Sequence, residues 1–251
     1  MTSVPTGHQK NVANFEDLIA SCIGVGAAFN PSNTSLKIAQ LQTLQTTGKN
    51  VLQTVKSTKT AYDNACNARE IAMAPLKKLC TRVVNALEAT TATKQTVNDA
   101  KTINRKIQGK SPNNQKSAAT VNAAGDVPLP DPQVKTISTT QQSFDSMIDN
   151  FQMLLVAISS EPVYAPNENE LKVTTLNALL TNIKTLNTAA INAGVQYRNA
   201  MAARDAGLYQ PTTGLVDVAL EVKKYVKSAF GAGSPQFKQI SGLAFTKKPL
   251  N

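Results

Sequence analysis

The sequence predicts an all-α protein: an elongated helical bundle made of two pseudo-equivalent three-helix units with long central helices. Three observations carry that expectation. The segment YDNACNAREIAMAP at Tyr62 returns as YRNAMAARDAGLYQP at Tyr197, 135 residues later. At the same offset Pro31 answers Pro166, Leu36 answers Leu171, Lys37 answers Lys172, Leu41 answers Leu176, Leu44 answers Leu179 and Arg69 answers Arg204. Within each copy the period is helical. Leu176, Leu179, Ile183, Leu186, Ala190, Ala193, Tyr197, Ala200 and Arg204 step by three and four, and Leu41, Leu44, Val51, Val55, Tyr62 and Ala65 keep the same register, which is the seam of a helix packed along its length. Finally, 41% of the residues are hydrophobic but only 5% aromatic, with no Trp. A core of Ala, Leu, Val and Ile suits helices that approach closely.

The elements follow in chain order. A short apolar helix is expected over about 12–27, containing NFEDLI at Asn14, and its counterpart over 138–160 contains NFQMLL at Asn150. Each is followed by a start signal. Asn167 caps the second long helix with Glu170 three residues on as a capping box, and Ser32 is the weaker equivalent in the first. The long helices then run to Pro75 and to about Leu208, roughly 40 residues or about 60 Å each. Gly48 and Thr58 fall on the first seam, where they weaken a strict coiled coil and suggest either close approach of a neighbouring helix or a locally looser core. A third, antiparallel helix follows in each copy. In the first copy it runs from Lys77 to Gly109; from Glu88 to Gly109 is 21 residues against 10 from the equivalent Glu221 to Gly231, so the first copy carries about three extra turns. Residues 1–116 thus form the first unit, the Pro- and Ala-rich stretch 117–137 a linker, and 138–251 the second unit with a C-terminal tail.

No residue pattern promises catalysis. His8 is the only histidine, and it stands in a polar segment before the first helix, which disfavours Ser–His–Asp hydrolysis and histidine metal sites. QGKSP at Gln108 contains the GKS of a phosphate loop, but Asn104 stands where that motif needs glycine and a helix precedes it instead of a strand. Gly109 reads better as a helix C-terminal glycine with positive φ, stopped by Pro112. The acidic pairs Asp145 with Asp149 and Glu168 with Glu170 are isolated on helix surfaces or at a cap. Cys22, Cys66 and Cys80 are an odd number without CxxC spacing, hence small buried hydrophobes rather than disulfides or zinc ligands. No enzyme activity, metal or cofactor is expected.

Two groups of residues stand out. Tyr62 with Arg69, and Tyr197 with Arg204, lie seven residues apart on one helix face in each copy. Glu88 and Glu221 on the third helices are the expected partners of the two arginines, a packing constraint rather than a ligand cradle. The second group is basic. Between Lys77 and Lys116 there are nine Lys and Arg against only Glu88 and Asp99. Lys94, Lys101, Arg105, Lys106 and Lys110 make a candidate anion-binding face, whose phosphate contacts would suit nucleic acid or an anionic surface. No aromatic stacking platform accompanies it.

The stretches TRVVNALEAT to AKTINRKIQGK, and TGLVDVALEVKKYVKSAFGAGSPQFKQISGL, resemble a group of uncharacterised bacterial proteins with the same two-part plan. The resemblance implies a helical bundle and no activity. Charged residues are 17% of the chain, with a net charge of +10. A surface rich in Thr, Asn, Gln and Ser repels its own copies weakly, so a structural or interaction protein forming a homo-oligomer or filament is the leading expectation. Binding of an acidic partner by the basic helix is the alternative. Glu16 and Asp17 precede the 12-residue run LIASCIGVGAAF, the reverse of a secretory signal and shorter than the roughly 20 residues of a transmembrane helix. The expected location is the cytoplasm, barring a dedicated export route.

Overall fold

The computed structural model describes residues 7–109 and 142–247. The linker 117–137, residues 138–141 and Lys110 lie outside them. The protein is all-α, with no strand among the described residues. In chain order the helices are α1 (Gly7–Val25), α2 (Ile38–Met73), α3 (Leu76–Glu88), α4 (Lys94–Gln108), α5 (Phe144–Ser159), α6 (Val173–Tyr209), α7 (Leu215–Phe230) and α8 (Pro235–Ser241). Three single 3₁₀ turns, Gly26–Ala28, Thr34–Leu36 and Asn169–Leu171, stand before the long helices.

The long helices contain 36 and 37 residues and start later than their sequence signals suggest. Ser32 caps nothing. Asn33 takes that part, its side chain accepting from the Ser35 N–H at 3.1 Å to open the turn Thr34–Leu36. In the second copy Glu168 holds the N-cap position of Asn169–Leu171 without a side-chain bond, and the expected Asn167–Glu170 capping box does not form. The Glu170 carboxylate pairs instead with Arg82. Each turn delivers one leucine, Leu36 or Leu171, into a core, and the helix begins two residues beyond it.

The expected third helix of the first copy is two helices. Between α3 and α4 the chain breaks at 89–93, a Thr-rich stretch whose hydroxyls compete for backbone groups. Thr90 Oγ1 donates to the Leu87 carbonyl at 2.7 Å, and Thr93 caps α4 by accepting from the Thr96 N–H at 3.2 Å. The extra turns are therefore a separate helix. Its place in the second half of the chain is held by the seven-residue α8.

The chain forms two compact units, 1–64 with 191–251 and 65–190. Both boundaries fall inside the long helices, so a sequence repeat and a compact unit are different divisions of this chain. In the first unit α1, from one copy, packs against α7 and α8, from the other. Its core gathers Phe15, Leu18, Leu41, Leu208, Leu215 and Val222. Gly48 is explained here, because a Cβ at that position would stand 2.9 Å from Leu215 Cδ1 and 3.3 Å from Val12 Cγ2. In the second unit α3 and α4 pack against α5, and Leu76, Leu87, Ile107, Phe151, Leu154, Leu176 and Ile183 share a separate core.

Candidate interaction surface

The surface with the most unused chemistry lies on α4 and α5 of the second unit. Val97, Ala100 and Ile107 turn one face of α4 inward, leaving Lys94, Arg105 and Lys106 exposed. The helix ends at Gly109 with φ 74°, the positive φ expected of it. There the Gln142 amide donates to the Lys106 carbonyl at 3.0 Å and its oxygen accepts from Lys77 Nζ at 2.6 Å. Arg105 and Lys106 occupy the last turn, where positive charge complements the exposed carbonyl end of the helix.

Of the basic residues singled out in the sequence, Lys101 is half-buried and pairs with Glu88 at 2.5 Å. Arg82 pairs with Glu170 and Lys77 with Gln142. Lys78, Lys94, Arg105 and Lys106 form no ion pair among the described residues. Lys110 and Lys116 lie outside them.

Beside this face is an apolar depression of about 470 Å³ lined by Ile103, Asp149, Gln152, Met153, Val156 and Ala157. Its cause is visible in α5, FDSMIDNFQMLLVAIS, which is apolar on more than one side. Ile148, Phe151, Leu154, Leu155 and Ile158 are buried, while Met153 and Val156 remain 50% and 63% exposed. A helix apolar on several faces is ordinarily covered on all of them. Aligning NFEDLI with NFQMLL places Asp17 and Ala20 of α1 where α5 has Met153 and Val156.

The repeated residues occupy packing positions with partners other than those the sequence suggested. Tyr62 and Tyr197 stack in the first unit, ring centroids 6.2 Å apart at 14°. Gly194 makes room for them, since a Cβ there would meet Tyr62 Cε2 at 3.1 Å. Arg69 does not reach Glu88. Its guanidinium lies 3.8 Å above the Phe144 ring, and Nη1 donates to Asn187 Oδ1 at 3.2 Å. Asn187 in turn donates from Nδ2 to Asp145 Oδ1 at 2.7 Å, while Arg69 Nε is buried without a partner. Arg204 pairs with its neighbour Asp205 at 2.6 Å rather than with half-buried Glu221. The groups nearest in space, not the repeated acids, win each arginine.

His8 is also better placed than its sequence context implied. It lies in the first turn of α1, with Nδ1 2.6 Å from the Tyr209 hydroxyl. Asn11 and Asn187 are buried polar side chains in hydrogen-bond networks, and nothing in their sequence spacing marks them. Burial pushes the Cys22 and Cys80 thiols up to about 12. Among the described residues no three His, Cys, Asp or Glu side chains converge as a metal site, and no helix is long and apolar enough to cross a membrane. No protein-family model matches the chain, and no curated protein or solved structure is significantly similar to it.

Proposed function

We propose that this protein is a non-enzymatic structural or interaction module that self-associates into a homo-oligomer or filament, built on a duplicated, elongated helical plan. The observation that carries the reading is the apolar face of α5 that the described residues leave exposed. Met153 and Val156 stand in water at positions where α1 has Asp17 and Ala20, and a contiguous exposed apolar patch is a recurrent mark of an interaction surface. The low charge content of the chain, 17%, lets like surfaces approach.

Light scattering over a concentration series tests it. The mass of the native chain is expected to rise with concentration. Met153→Asp combined with Val156→Asp should move that rise to concentrations at least about tenfold higher, which corresponds to an interface weakened by about 1.4 kcal/mol. Both positions are exposed, so circular dichroism of the double variant should match the parent. A strict monomer at the highest attainable concentration overturns the reading. Small-angle scattering tests the elongated plan, which a near-spherical profile would exclude.

A second reading is favoured by the unpaired cations of α4. Lys94, Arg105 and Lys106 offer three point charges to a polyanion such as nucleic acid or an anionic surface. Replacing Arg105 and Lys106 by Gln should weaken binding to duplex DNA. The slope of log K against log salt should become shallower by about 0.9 for each phosphate that is no longer neutralised. Lys101→Gln should change it less, because Glu88 already neutralises that ammonium. Absence of binding at low salt to DNA, RNA and anionic vesicles alike removes this reading.

A further inference from the structure

The C-terminal part of the first unit is attached differently from the rest of it. α7 ends at Gly231 with φ 89° and ψ 153°, a conformation open almost only to glycine. Open space surrounds the positions where a Cβ would stand at Gly231, Gly233 and Gly242. Between these glycines lies α8, held by one buried side chain, Ile240, and half-buried Phe237. The stretch is a short arm with a glycine joint at each end.

Beyond α8 the chain runs without regular structure through 243–247, and side chains of α1 and α7 grip it mainly by its backbone. Asn11, 1% exposed, spans Thr246: its Nδ2 donates to the Thr246 carbonyl and the Thr246 N–H donates to its Oδ1, both at 2.9 Å. Asn14 Nδ2 donates to the Ala244 carbonyl at 2.6 Å. Lys223 Nζ donates to the carbonyls of Ser241 and Leu243 at 2.9 and 3.0 Å. At the far end Lys247 Nζ meets Asp217 at 2.8 Å, and Leu243 and Phe245 pack against the core. Backbone bonds combined with pockets for alternate side chains are how folded proteins take up extended peptides.

We propose that residues 234–247 are an exchangeable arm: the groove of α1 and α7 that holds them accepts the same arm from a second copy, joining copies by a swap. This rests on the self-association reading and adds to the α5 face a second surface by which copies join. Every interaction of the groove with the arm is identical whether the arm comes from the same chain or another. The closed and exchanged forms then differ at the joint 231–233, where glycine tolerates either path. Exchange of an identical element is a low-cost route to assembly for that reason.

The ion pair at the end of the arm gives a direct readout. Ordinary and heavy-nitrogen-labelled full chains are mixed in equal amounts in denaturant and refolded together at high concentration. The oligomeric fraction is isolated, and a zero-length carbodiimide reaction then couples Asp217 to Lys247. The cross-linked peptide pair is read by mass spectrometry, with the Lys247→Gln chain as the blank. Arm exchange predicts mixed-label pairs, about half of all pairs if every arm has crossed at random. Oligomers whose Asp217–Lys247 pairs are all of one label overturn the arm and leave self-association by the α5 face standing. Monomer at every concentration overturns both.

Discussion

At the level of single residues, the three cysteines separate by environment. Cys22 and Cys80 are 2% and 0% exposed, whereas Cys66 is half-buried on α2 with Arg69 Nη2 4.0 Å from its sulfur. A thiol at about 12 in place of 9.0 holds about a thousandfold less thiolate near neutral pH. Iodoacetamide should therefore modify Cys66 first in the native protein, and Cys22 and Cys80 only on unfolding. Peptide mass spectrometry after timed alkylation checks the order, and early labelling of Cys80 would contradict the described core. The sequence reading of small buried cysteines holds for Cys22 and Cys80 but not for Cys66, which is half-buried beside Arg69. The sequence also misassigned the arginines, because the partner of an arginine is fixed by distance in space. Arg69 found Asn187, 118 residues away, and Arg204 found its immediate neighbour.

At the level of elements, α4 depends on its two ends. Thr93→Ala removes the hydroxyl that accepts the Thr96 N–H and should cost about 1 kcal/mol. Gly109→Ala should cost as much or more, about 1–2 kcal/mol, because an L-residue is strained in the left-handed region. Its Cβ would also stand 2.7 Å from Gln142 Cδ, a side chain already fixed by Lys77 and the Lys106 carbonyl. Urea denaturation of both variants measures the difference, and a neutral Gly109→Ala would mean that the helix end is free to rearrange. The glycine was legible because QGKSP at the end of an apolar-periodic stretch has one good helical explanation. The break before Thr93 was not: threonines are tolerated inside helices, and whether their hydroxyls cap a new helix or point to water depends on what the next segment packs against. The same limit hid the 3₁₀ turns, where burial of Leu36 and Leu171 overrode the apparent caps.

At the level of the whole molecule, each compact unit has its own core, with no residue common to both. Phe15 and Phe151, related by the repeat, are each fully buried in one of them. Phe15→Ala and Phe151→Ala should each cost about 3–5 kcal/mol. Hydrogen exchange followed by mass spectrometry should show the first variant loosening mainly 7–64 with 191–247, and the second mainly 65–109 with 142–190. Uniform loosening by either variant would mean that the continuous helices α2 and α6 bind the two units into one cooperative block. The sequence alone determined the helical class, because a period of three and four residues is a property of the chain itself, as is the self-match at an offset of 135 residues. Only the tertiary structure decided which copy supplies which helix to each unit and which cations stay unpaired. It also decided that Met153 and Val156 on α5 are left uncovered by the described residues. Those outcomes depend on residues far apart in sequence meeting in space, and local periodicity constrains which face of a helix is buried without saying against what.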